Sequence, residues 1–455
     1  MSDLHFGEEL LPGAPVQRRR AVELGSQAFR EFLRYYTVRR RDGRSWRLVI
    51  AGDLFDFMSV IIPEVPGRRA RTADERAYGL GRGRQPGVAR MRRLCEAHAP
   101  VLAELGRFAA AGHTVEIIAG HHDIELVAAE VAAELMRQIA AAGADDRALG
   151  RIAIAPWFVH VRGVCWIEHG HAYDEGAAFA HNLAPMDPQD GWLIPNADYA
   201  AVRYLGAAVP ALDPHGIEEW GMWSYLRRTL GLGSWAGRWR AYGGFLRALA
   251  GAGRLQRSAL RRARRERAHR ARLAELAHGS GVPVDTLTAI DGLASTPLTV
   301  RGWRLARMVL LDRAGLGVAG AVLGAILLLA LPLVWALLGV AALAGAGLAA
   351  RRWLGRHTTT SQLAMRRVPP RLRALVDAPV IVFGHSHDPR WQKLRSGGLY
   401  LNAGTWLPAT RPGLHRSFTF VLIEPPPDPA APPTVELRQW REGVSQPFDA
   451  GPATT

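Results

Sequence analysis

Asp3-Leu4-His5 opens a series of five short Asp and His clusters, which continues with Gly52-Asp53-Leu54-Phe55-Asp56, Gly120-His121-His122-Asp123, His169-Gly170-His171 and Gly384-His385-Ser386-His387. Together they supply enough carboxylate oxygens and imidazole nitrogens for two adjacent divalent ions. Carboxylates suit hard cations and imidazoles suit Mn, Fe or Zn, so the mixed set points to a transition-metal pair rather than to Ca or Mg alone. Two such ions about 3.5 to 4 Å apart can hold a hydroxide between them and clamp phosphoryl oxygens during in-line displacement. An imidazole outside the ligand set can pass a proton to the departing oxygen. One cluster alone reads as a turn or a helix cap; five in series do not.

The clusters sit where apolar runs end. Trp46 to Ala51 leads into Asp53, Val115 to Ala119 into His121, Val164 to Glu168 into His169, and Pro379 to Phe383 into His385. Short β-branched runs bounded by Gly and polar residues predict buried strands. The ligands then lie on loops at the carboxyl ends of strands, where open α/β sheets bind their ligands.

On these motifs the chain resembles the calcineurin-like metallophosphoesterase superfamily, whose pattern runs DxH, GDxxD, GNHD, H, GHxH. The resemblance covers roughly residues 1 to 175 and 379 to 406, and Leu399 to Trp406 (LYLNAGTW) is similar to the superfamily's NxGSW strand. It implies that one metal takes Asp3, His5, Asp53 and His387, and that the second takes Asp53 as a bridge with His121, His169 and His385. It further implies His122 beside the leaving group, with Asp123 orienting it. Asp56 then orients a histidine, and His171, with Tyr173 and Asp174 after it, either lines the site or forms an ordinary turn. His121 stands where the superfamily has Asn, so it either binds through nitrogen or merely fills the space. In the superfamily an apolar strand precedes the first motif, whereas only Met1 and Ser2 precede Asp3 here. The resemblance therefore predicts an upstream start codon or an impaired enzyme, with Asp3 on a frayed terminus.

The chain has 455 residues, enough for one large domain with insertions or two ordinary ones. Its two cysteines, Cys95 and Cys165, give no disulfide framework and no zinc-site spacing. The formal net charge is +16 and nearly all the cationic side chains are Arg, a bias of GC-rich coding that argues little for nucleic acid. Nine arginines crowd into one helical segment, Arg254 to Arg272. From Ala314 to Ala350 no charged residue occurs, and Pro332 falls near the middle. A straight helix over that span would run roughly 55 Å, against a hydrocarbon core of about 30 Å. Ligand motifs lie on both sides of the run and must meet, so zero or two crossings are allowed. Arg301, Arg304, Arg307 and Arg313 before it, and Arg351, Arg352 and Arg356 after it, place both ends in the cytoplasm by the positive-inside rule.

These readings predict an α/β protein: a two-sheet αββα metallophosphoesterase sandwich from residues 1–197 and 360–445. A basic helical insertion, 198–359, carries an apolar membrane hairpin at 314–350, and a disordered tail follows at 446–455. The expected activity is metal-dependent hydrolysis of a phosphomonoester, phosphodiester or pyrophosphate bond at the cytoplasmic face of the cell membrane, where a lipid-linked phosphate is an attractive substrate. The Arg-rich helix 254–272 would lie on anionic lipid. The rival readings are a nuclease that grips nucleic acid through the basic insertion and a non-catalytic scaffold.

Overall fold

The structure is a computed structural model that describes residues 1–14, 16–62, 73–81, 83–206, 235–301, 304, 311–356, 365–409, 416–426, 428 and 431–448. Strands β1 (Arg47–Ala51), β2 (Thr114–Ile118) and β3 (Ile152–Ala155) form a parallel sheet in that order. A second sheet has the order β4-β5-β6-β8-β7, with β4 at Phe158–Val161, β5 at Cys165–Glu168, β6 at Val380–Phe383, β7 at Arg390–Lys393 and β8 at Leu399–Asn402. Its centre is parallel, which explains why β6 is an unbroken apolar run buried at every position. Because β5 pairs with β6, segments on either side of the insertion share one sheet. The last strands, β9 (Thr419–Glu424), β10 (Thr434–Arg441) and β11 (Val444–Pro447), make an antiparallel sheet.

Helices α1 (Val16–Val38), α2 (Arg84–Ala97), α3 (Ala99–Ala110) and α4 (Ala129–Ala141) bury Phe29, Leu94, Leu105 and Leu135 in one core with Ile50 of β1 and Ile117 of β2. The insertion supplies α5 (Trp235–Arg257), α6 (Ala259–Ser280) and α7 (Val284–Asp291). Leu273 of α6 and Leu287 and Ile290 of α7 pack with Trp166, Ile381 and Tyr400 of the second sheet. Several arginines of α6 bond to neighbouring protein groups. Arg261 and Arg264 ion-pair with the buried Asp187 at 3.2 and 3.0 Å, Arg265 is buried, and Arg272 donates to the Leu183 carbonyl at 2.5 Å.

Two expectations are corrected. The predicted two-sheet sandwich is not present: among the described residues there are three separate sheets. The reason is local. β1 and β9 are both edge strands, and between them lies an apolar cavity of about 390 Å³ lined by residues including Phe32, Tyr36, Val49, Val382, Phe420 and Leu422, so no ladder joins the first sheet to the third.

The predicted membrane hairpin is also overturned, since no helix among the described residues is long and apolar enough to cross a membrane. The apolar run is cut at Leu331-Pro332 into α8 (Leu311–Ala330) and α9 (Leu333–Arg356), which pack on each other with Leu327 close over Gly339 and Ala336 fully buried. Asp312 and Arg313 open α8 and Arg351, Arg352 and Arg356 close α9, so each charge-free stretch, Ala314 to Ala330 and Leu333 to Ala350, falls short of the about 20 residues a span needs. Parts of the expected insertion, 207–234 and 305–310, and the end of the expected tail, 449–455, lie outside the described residues.

Candidate metal centre

Four of the five motifs follow a strand, the first lies at the start of the chain, and backbone contacts converge the loops. Met1 to Phe6 runs along the carboxyl end of β1 rather than fraying: the Ala51 N–H donates to Met1 O at 2.8 Å, and the Asp3, Leu4 and His5 N–H groups donate to Gly52 O, Asp53 O and Asp53 O at 3.2, 3.0 and 2.9 Å. The Trp406 N–H donates to Asp3 O on the opposite side at 3.0 Å, and Asp3 is fully buried. Left-handed backbone is rare away from glycine and concentrates where a site needs an unusual side-chain direction. Here Asp3, His5, Asp53, His385 and His387 all adopt it, with φ from 49° to 65°. Gly52 has φ 89°, and a Cβ there would lie 2.4 Å from His169 Nδ1. The motif glycine thus lets the Asp53 loop lie against the His169 ring.

Two donor groups result. In the first, His387 Nε2 lies 3.2 Å from Asp3 Oδ1 and 3.1 Å from His5 Nε2, while His5 Nε2 lies 3.8 Å from Asp53 Oδ2. In the second, Asp53 Oδ2 lies 3.0 Å from His121 Nδ1 and 3.1 Å from His169 Nε2, and the ligand atoms of His121, His169 and His385 lie within 4.8 Å of one another. Asp53 stands between the groups. Its Oδ1 accepts the His122 N–H at 2.8 Å, which aims Oδ2 at the histidines, yet Oδ2 is buried and accepts no hydrogen bond among the described residues.

The electrostatics identify what such a cluster lacks. His169 donates Nδ1–H to the Ala51 carbonyl at 2.8 Å, so a neutral His169 turns its Nε2 lone pair on Asp53 Oδ2. Lone pairs converging in a buried space repel unless a cation lies among them. Burial opposes ionisation of Asp53, but His121, His169 and His122 outweigh it and hold the carboxyl well below its usual range. Asp3 is held low against burial mainly by His387 and His5. Burial opposes charging of His169, yet Asp53 and Asp3 lift it to about 9, whereas burial keeps His121 well below the usual imidazole value. The residues therefore fit divalent cations: acidic oxygens, tautomer-directed imidazoles and an orphaned buried carboxylate oxygen meet at one place.

His122 stands beside the first group, its ring edge-on to His5 with centroids 4.5 Å apart. Its Nδ1 donates to Asp56 Oδ1 at 2.8 Å. Asp123, the expected partner, does something else. It accepts the Gly120 N–H at 2.7 Å and the Leu54 N–H at 2.8 Å, so it fastens the two motif loops together. His171 is buried and stacks at 6.0 Å on His121, and burial with the nearby His169 and His385 holds it well below the ordinary value. His98 and His113 lie apart from the site, hydrogen bonded to Gly7 O and Thr37 O.

Three acidic residues near the centre have no motif of their own. Asp174 Oδ2 is 3.1 Å from His385 Nε2, and Asp198 Oδ2 is 3.9 Å from His121 Nε2. Glu168, beneath His169, accepts from Trp157 Nε1 and Tyr173 OH, each at 2.7 Å. The only sequence signal was the place of Asp174 and Glu168 beside the His169 cluster; Asp198 carried none. Comparison with protein-family models, curated proteins and solved structures returned no match.

Proposed function

We propose that the chain is a metal-dependent hydrolase of phosphoester or pyrophosphate bonds. The observation that carries this reading is the single buried Asp53 carboxylate standing between two donor groups, Asp3 with His5 and His387, and His121 with His169 and His385. Two divalent ions of the Mn, Fe or Zn class, when bound by these residues, would supply positive charge to phosphoryl oxygens and acidify water. The chain's own contribution is preorganisation. The Asp53 carboxylate is aimed by the His122 N–H, and the His169 ring is turned by the Ala51 carbonyl. His122 holds a proton ready: burial works against its charged form, but Asp56 and Asp53 outweigh it and lift the imidazole to about 9. With Nδ1–H fixed on Asp56, the remaining proton on Nε2 is the one available to a departing oxygen.

The test is a panel of phosphomonoesters, phosphodiesters, pyrophosphates and lipid-linked phosphates, assayed with Mn, Zn, Fe and Mg in turn. The expected result is turnover of at least one substrate class that chelation abolishes and a transition metal restores. Turnover of none under any metal would refute the reading.

A further inference from the structure

His385 belongs to the second donor group, and its two ring nitrogens are not equivalent. Nε2 lies 3.1 Å from Asp174 Oδ2, whereas Nδ1 is buried with no hydrogen-bond partner among the described residues. The His385 N–H donates to Asp3 Oδ2 at 3.0 Å, and the residue's left-handed backbone, φ 65°, fixes the direction of its side chain. A neutral imidazole carries one proton, and a carboxylate at hydrogen-bond distance draws it to the nearer nitrogen.

We infer that Asp174 is a positioning residue for the second metal: it holds His385 as the Nε2–H tautomer, so that Nδ1 presents its lone pair alongside His121 and His169. This deepens the metal-centre reading and rests on it.

Asp174 is itself held. Its Oδ1 accepts the Gly176 N–H at 2.9 Å, its N–H donates to His171 O at 3.1 Å, and its carbonyl accepts the Ala178 N–H at 2.7 Å. The insertion clamps the same turn from outside. The Ser295 N–H donates to Ala172 O and its hydroxyl to Tyr173 O, at 2.8 and 2.7 Å, and the Leu298 N–H donates to Glu175 O at 2.8 Å. The segment after α7 thereby fixes the turn that orients His385, which gives the insertion a direct part in building the centre. Partners that orient a ligand imidazole in this way are typically worth about 10- to 100-fold in metal affinity.

The experiment has two readouts on the full-length chain. Long-range ¹H–¹⁵N spectra of metal-free protein at pH 8 report the His385 tautomer, and Zn titration with elemental analysis reports the second ion. Wild type is expected to show Nε2–H. Asp174→Ala should lose that preference and bind the second ion about 10- to 100-fold more weakly, with the metal-free melting temperature unchanged. Asp174→Asn, which keeps one acceptor oxygen, should restore the tautomer and most of the affinity. An Nδ1–H tautomer in wild type, or wild-type affinity in Asp174→Ala, overturns the inference. If wild type takes up no divalent ion at all, the metal-centre reading fails, while the tautomer still decides the role of Asp174.

Discussion

At the scale of single residues, the centre is built from side chains whose protons are already assigned. His122 is tied through Nδ1 to Asp56, so His122→Gln should lower kcat by about 10²- to 10⁴-fold with little change in KM, as expected when a proton donor is lost but the binding surface is kept. Asp56→Asn removes a carboxylate that raises the His122 pKa, and the alkaline limb of the kcat profile should move toward lower pH. A limb that stays in place would assign it to another group. Asp53 has φ 53°, a conformation that Asn tolerates better than Ala, so Asp53→Asn removes the charge without adding backbone strain. These pairings could not be read from spacing. Asp123, next to His122 in the chain, is the partner the motif implies, and only the fold shows that its carboxylate is spent on the Gly120 and Leu54 amides while Asp56 takes the imidazole.

Among the elements, the joints between loops are the sensitive points. Gly52→Ala places a methyl group in the His169 ring and forces a left-handed alanine, and it should cost about 2 to 4 kcal/mol of stability and uncouple metal binding. Thermal melts with metal analysis check both. His98 links α3 to the opening segment by stacking on Phe6 and bonding to Gly7 O, and burial lowers its pKa to about 4. Its folded-state pKa is depressed below the unfolded value near 6.5, so the unfolded chain binds the extra proton between these values. Stability from this group is complete above about pH 6.5 and is lost as pH falls toward 4, by at most roughly 3 kcal/mol. His98→Gln, which retains a donor for Gly7 but does not titrate, should flatten that part of the melting-temperature profile. In the insertion, Asp187→Ala releases Arg261 and Arg264 from the 183–190 loop. Hydrogen exchange should rise in that loop and along α6 while β1 and β2 stay protected; uniform protection would show that the ion pairs do not hold the insertion.

For the whole molecule, the ends of strands were legible because these strands are largely apolar and bounded by Gly and polar residues, and the predicted runs lie within a residue or two of β1, β2, β5 and β6. The Asp and His clusters were legible because each is contiguous in sequence. What depends on partners distant in sequence was not. Nothing in an Arg-rich helix points to the buried Asp187, more than 70 residues away, to which Arg264 bonds. A charge-free run with Pro332 at its middle reads as the two helices of a membrane hairpin; the two helices are there, but neither is long and apolar enough to cross a membrane. A two-sheet sandwich requires a ladder between β1 and β9, where the structure has a cavity.

The central claim is that Asp53 joins two metal positions into one hydrolytic centre. Its most direct test is the metal-to-protein ratio and phosphoester turnover of wild type beside Asp53→Asn. The account predicts two divalent ions per wild-type chain, with loss of at least one ion and of turnover in the variant, while the metal-free melting temperature falls little. A variant that retains both ions and turns over at the wild-type rate would contradict it.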